Sequence, residues 1–245
     1  MMVHVAKVAL APILYSQARR MRAATLELPE PEGSRAGISG AGQPALRLLI
    51  AGDSSAVGVG APTQEEGFAL ALVRSLAFRT NSSIQWQLIG QTGLTSEGVL
   101  RKLTDSIIEP ADLAVITLGA NDITSEVPLA RALQHRREIA DWLLRSSSVR
   151  QVIFPGLPEI QRFPAIPQPL AWYAGLHARR NNRAQARWAR RQQHVHHADI
   201  SGLARAELMA TDGYHPAPAL YALIAERLAV FIASLLARSA AAVAR

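Results

Sequence analysis

From residue 46 onward, short apolar runs alternate with longer stretches in which apolar positions recur at helical spacing. The runs cover residues 46–51, 84–89, 113–118 and 152–154, with a weaker one at 195–200. The first four are nearly continuous in apolar residues, the pattern of strands buried on both faces rather than half-buried ones. Amphipathic stretches lie between them, near 65–79, 97–108, 126–146 and 170–192. A last helix is expected after Pro216, with Pro218 in its first turn, running into the 230s. Strand and helix alternate, so the pattern predicts an α/β fold: a parallel five-stranded sheet with helices on both faces and right-handed crossovers.

Before this pattern the chain reads differently. Residues 26–45 carry Pro29, Pro31, Gly33, Gly37, Gly40, Gly42 and Pro44, an irregular arm by composition. We therefore divide the chain into an N-terminal segment and arm, 1–45, and a domain, 46–245. Lys7 precedes an apolar run at 8–15 that contains Pro12 and is far too short to span a bilayer. Ser16, Gln17 and Ala18 resemble a weak cleavage site, but Arg19 and Arg20 follow directly and argue against cleavage. An uncleaved amphipathic segment, resting on the domain or making peripheral contact with a membrane surface, is the expectation. The location expected is cytoplasmic, with export or membrane association as the alternatives.

Composition narrows the chemistry. The 245 residues contain no cysteine, which excludes disulfides, a thiol nucleophile and thiolate metal sites. The net charge of +7 is carried almost wholly by arginine, and no nucleic-acid motif accompanies it. Arg179, Arg180, Arg183, Arg187, Arg190 and Arg191 cluster in one helical stretch, read as a solvated face. His194, His196 and His197 lack ligand partners at metal-site spacing, so a surface strand edge is the expectation there. Gly58 and Gly60 do not complete a dinucleotide fingerprint, because Thr63 stands where the third glycine belongs. No cofactor, metal or nucleic-acid partner is expected.

In an open parallel sheet, ligands bind beyond the carboxyl ends of the strands. The chemically capable residues lie there. The first strand ends in Gly52-Asp53-Ser54-Ser55, which places Ser54 in the turn leaving the strand. A serine hydroxyl needs a base to become a nucleophile, and alone this serine reads equally as a helix cap. The second strand leads to Gly93, whose backbone N–H could face a developing oxyanion, and to Thr95. The third ends in Gly119-Ala120-Asn121-Asp122, and an asparagine amide is a neutral oxyanion donor. Near the C-terminus Asp212 precedes His215 and Pro216, a spacing that lets the carboxylate reach its own imidazole and fix its tautomer.

Taken in order, these short patterns resemble the four blocks of the SGNH, or GDSL, hydrolases. Gly52-Asp53-Ser54 matches the first block, Gly93 the second, Gly119, Asn121 and Asp122 the third, and Asp212, His215 and Pro216 the last. The resemblance covers roughly residues 46–236. It implies a flavodoxin-like three-layer α/β/α sandwich and a serine esterase with Ser54, Asp212 and His215 as catalytic residues. It also implies an oxyanion hole of Ser54, Gly93 and Asn121. Ser55 stands where the family has leucine, and Leu88 where an asparagine is frequent. The activity implied is hydrolysis of a small-molecule carboxylic ester, of short to medium acyl chain, through an acyl-Ser54 intermediate. Two alternatives remain: an O-acyltransferase using the same residues, and a basic membrane- or nucleic-acid-binding protein with a vestigial site, in which the arginine-rich stretch 177–191 would bind. The Gly-x-Ser-x-Gly elbow of α/β-hydrolases is absent, since Ser55 and Ala56 follow Ser54. The proline-rich stretch 154–169, followed by Trp172 and Tyr173, falls after the fourth strand, where a substrate wall or a rigid surface loop would form.

Overall fold

A computed structural model describes residues 2–24 and 26–243. Side chains before residue 10 and after residue 239 lie outside what is described, Lys7 and the Ala-rich tail among them. Five strands, β2 (Pro44–Gly52), β3 (Ser83–Gly90), β4 (Leu113–Thr117), β5 (Gln151–Pro155) and β6 (Val195–Ala198), pair in parallel. A sixth, β1 (Ala36–Ser39), runs antiparallel along β3, giving the order β1-β3-β2-β4-β5-β6. The expectation of a five-stranded, wholly parallel sheet is corrected to this extent. β1 is the sequence Ala-Gly-Ile-Ser, largely exposed at a sheet edge, so it lacks the apolar run by which buried strands declare themselves.

The five parallel strands have the doubly wound order in which the chain leaves β2 first to one side and then to the other, so a crevice opens at the carboxyl end of β2. Successive β2 residues point to opposite faces. Leu46, Leu48 and Ile50 enter a core beneath α3 (Phe68–Thr80) and α8 (Pro218–Val243). Leu49 and Ala51 enter a second core beneath α4 (Ser96–Thr104) and α6 (Leu129–Ser146). With α7 (Leu170–Ala189) beside α6, these form three layers. The helix α8 is long and apolar enough to cross a bilayer. Its stripe Leu220, Ile224, Leu228, Ile232 and Leu235 is nevertheless buried against α3, as in the core helix of an α/β sandwich.

The N-terminal segment forms α1 (Met2–Ala24), with Pro12 inside it. It rests on the domain through Leu14, which is buried, and through Gln17, whose amide donates to the Gln168 carbonyl and accepts from Leu170 N–H. The arm that follows is stitched to the sheet. Leu88 N–H donates to the Arg35 carbonyl, and Gln64 N–H to that of Glu32. The arginines at 179, 180, 183, 187, 190 and 191 are exposed along α7 and just beyond it. His196 lies on the edge strand β6 with its Nε2 2.6 Å from Gln151 Oε1. Burial holds the pKa values of His196 and His197 down.

Candidate active site

Ser54 opens the four-residue helix α2 (Ser54–Val57) directly after β2. The Asp53 carboxylate caps that helix by accepting from Ser55 N–H at 3.0 Å. Asp53 is buried, and desolvation, reinforced by the nearby Asp122 charge, raises its pKa to about 7. The serine is thus fixed at the crevice by the strand on one side and a capped turn on the other.

His215 reaches this serine from a loop 161 residues further along. Its Nε2 is 3.0 Å from Ser54 Oγ, and its Nδ1 is 2.6 Å from Asp212 Oδ2. The other Asp212 oxygen accepts from the backbone N–H groups of Tyr214 and His215, at 2.9 and 3.0 Å. The carboxylate therefore holds both the ring and the backbone that carries it, and its side chain has no exposed surface. An Nδ1–H donated to Asp212 leaves the Nε2 lone pair facing the hydroxyl. Such a chain can draw a proton from Ser54 when the oxygen attacks. Gly60, just after α2, is pressed against the same loop: a Cβ there would lie 2.4 Å from the Pro216 carbonyl oxygen. Close packing and a φ of +101° are the physical reasons for that glycine.

Gly93 and Asn121 lie in the segments that follow β3 and β4, the two strands that neighbour β2. Gly93 follows β3 with φ of +82°, in the left-handed region that glycine adopts without strain. Asn121 lies in α5 (Ala120–Thr124), after β4, and its Nδ2 donates to the Leu94 carbonyl at 3.0 Å. That bond ties the two loops together and uses one of the two amide protons. Neither residue lines the apolar cavity beside Ser54, which is formed by Phe68, Leu157, Ile160, Phe163, Tyr221 and Ile224 among others and has a volume of about 70 Å³. The stretch 154–169 supplies part of that wall. It also carries the histidine loop, since Ala165 N–H donates to the Gly213 carbonyl and Phe163 meets the Tyr214 ring edge-on at 5.6 Å.

Residues 50–223, well over half the chain, match the profile of the GDSL-like lipase/acylhydrolase family. The chain belongs to this family. It is 33% identical over 192 residues to a GDSL-like esterase of Mycobacterium tuberculosis, covering 75% of this chain. The chain spans 60% of the length of that curated relative. Among solved structures, the fold is shared with the lipase Lip_vut3 from a goat rumen metagenome at a TM-score of 0.60 and 19% identity, covering 75% of this chain and 96% of the other. It is shared also with a carbohydrate esterase family 2 enzyme of Corynascus thermopiles at a TM-score of 0.63 and 16% identity, covering 81% and 69%.

Two features of this GDSL-family site lie outside the residues singled out in its sequence. The first is Arg136, buried behind Asn121 and paired with the Asp122 of the third block. Asp122 accepts from Ser96 N–H at 2.8 Å and from Arg136 Nη2 at 3.3 Å, and Arg136 Nη1 donates to Asn181 Oδ1 at 3.2 Å. Burial lowers the Arg136 pKa, and the Asp122 charge opposes that shift. The guanidinium lies directly under Gly119, where a Cβ would come within 2.5 Å of Nη2. The signal for Arg136 was present: with Ala132, Ile139, Ala140 and Leu143 it forms the buried stripe of α6. The second is Glu30, in the arm. Its carboxylate accepts from Thr92 N–H at 2.6 Å and pairs with Arg35, whose Nη1 donates to the Gly90 carbonyl. These bonds hold its pKa down and brace the loop that carries Gly93. No sequence motif marks Glu30. Among the described residues no cluster of His, Asp or Glu is arranged to hold a metal ion.

Proposed function

We propose that the protein hydrolyses carboxylic esters of short to medium acyl chain through an acyl-enzyme formed on Ser54. The observation that carries this reading is the unbroken hydrogen-bonded chain from Ser54 Oγ through His215 to the buried Asp212 carboxylate. In the first step His215 Nε2 takes the hydroxyl proton as Ser54 Oγ attacks the ester carbonyl carbon. In this reading the negative oxygen is received by the backbone N–H groups of Ser54 and Gly93 and by the Asn121 amide, the oxyanion hole that the family resemblance implies. The C–O bond to the alcohol breaks, and His215 delivers the proton to the departing oxygen. Water then repeats the sequence on the acyl-serine and releases the acid. Membership of the GDSL-like family and the similarity to a mycobacterial esterase support the same assignment.

The test is hydrolysis of p-nitrophenyl acetate by the wild-type protein and by Ser54→Ala, with fluorophosphonate labelling of both. Turnover and labelling are expected in the wild type, and loss of both in the variant. Wild-type rates in Ser54→Ala would overturn the assignment.

A further inference from the structure

We propose that the groove roofed by α1 binds the hydrocarbon chain of the ester whose carbonyl sits at Ser54, so that this helix selects amphiphilic substrates. The inference rests on the ester-hydrolase reading for its chemistry. It stands on four features of its own.

The first is size. The cavity beside Ser54 measures about 70 Å³, below the range of about 300–1,000 Å³ typical of sites that enclose a whole small molecule. The groove between α1 and the domain measures about 870 Å³, within that range. The second is continuity. Ile160 and Tyr214 line both spaces, and Tyr214 adjoins His215. On the other side the groove is bordered by residues 123–126, which directly follow the Asn121-Asp122 pair. The two spaces adjoin at Ile160 and Tyr214, so a chain leaving the reacting carbonyl would pass along these two side chains to reach the groove.

The third is chemistry. The groove's walls are mainly apolar, with Leu14 and Met21 from α1 facing Ile123, Ile166 and Leu170. Its charged lining residues, Arg19 and Glu126, are exposed or belong to an exposed turn. Tyr15 lines the groove yet is 73% exposed, which places it at the mouth. The apolar part of the wall suits methylene groups, and Thr124, Ser125 and Tyr173 add polar positions beside it. The fourth is packing. Helices against a domain ordinarily pack to crystal-like density. Here α1 is fastened by Leu14, Gln17 and Met21, and a largely apolar space remains between it and the domain that a hydrocarbon would fill more favourably than water. The roof also lies outside residues 50–223, so the groove is an addition to what the family profile covers.

The test compares two ester series on the wild-type protein and on Ala18→Trp, which puts an indole into the groove from the roof. One series is p-nitrophenyl acetate, octanoate and laurate; the other is hexyl, octyl and dodecyl acetate. In the wild type kcat/KM is expected to rise with chain length in one series, and that series tells whether the chain belongs to the acid or to the alcohol. In Ala18→Trp the preference for the longest over the shortest member of that series is expected to fall by about tenfold or more. Ala11→Trp, elsewhere on the roof, serves as a second variant should Ala18→Trp fail to fold. A preference that is flat in the wild type, or unmoved in both variants, overturns the proposal. Binding of a fluorescent dodecanoate to Ser54→Ala protein separates the two readings. Probe binding that Ala18→Trp weakens, in a protein that turns over no ester, would leave the groove standing and remove the hydrolase. Hydrolysis of acetate esters with no probe binding would do the reverse.

Discussion

Arg136 Nη2 lies 3.3 Å from Asp122 Oδ2, and both side chains are 1% exposed. The pair sits behind Asn121 and under Gly119, so it fixes the turn that presents the asparagine amide. Breaking one side of a buried ion pair leaves an uncompensated charge, at a cost of about 3–5 kcal/mol. Arg136→Met is expected to lower stability by that order, read as a shifted urea midpoint. It should also lower kcat in whatever fraction stays folded. An unmoved midpoint would show that the pair does not brace the turn.

The amide it braces has one proton committed to the Leu94 carbonyl and one left for substrate. Asn121→Ala should lower kcat by about 10²–10³ while KM changes little, because the lost bond forms with charge that exists only in the transition state. A rise in KM at constant kcat would instead assign Asn121 to ground-state binding.

Asp212 gives one oxygen to the imidazole and the other to two backbone N–H groups. Asp212→Asn keeps the size of the side chain but can present an N–H to Nδ1, which favours the wrong ring tautomer. The expected loss in kcat is about 10⁴, as found for the equivalent change in a serine protease triad. A melting temperature close to wild type, measured alongside, would separate that effect from collapse of the loop.

Asp53 yields a prediction of a different kind. Burial raises its pKa from an ordinary carboxylate value to about 7, so the folded state holds a proton that the unfolded chain has already released. Between these two values unfolding releases a proton, and stability falls as pH rises. Above about 7 both states are ionised and this contribution is flat. Asp53→Asn keeps an oxygen to cap Ser55 N–H and cannot ionise. Its urea midpoint should therefore decline less between acid and neutral pH than that of the wild type. Parallel curves for the two proteins would show that Asp53 is ionised throughout the range.

The core strands and the order of the site residues were legible in the sequence for one physical reason. Strands buried on both faces must be continuously apolar, and the polar residues that interrupt such runs then mark the carboxyl ends where the crevice lies. Ser54, Gly93, Asn121, Asp212 and His215 all follow from that pattern together with the family's blocks. What escaped it is what a buried pattern cannot encode. β1 is paired by its backbone alone and exposes most of its side chains. Glu30 acts on a backbone N–H across 62 residues of chain, with no spacing to announce it. Arg136 escaped for the opposite reason: its position in the stripe of α6 was readable, but an arginine is normally taken for surface. The groove between α1 and the domain depends on how two packed bodies fit, which periodicity does not carry.

β1 has a further consequence for how the protein behaves in concentrated solution. By running along β3 it occupies the N–H and carbonyl groups that β3 would otherwise present to the outside. An uncovered edge of that kind is a template for another chain. A shortened protein beginning at residue 46 would keep every catalytic candidate and still be expected to self-associate, strand against strand. A version that keeps the four residues from Ala36 to Ser39 is therefore expected to stay monodisperse where the shorter one does not, which light scattering on the two would check.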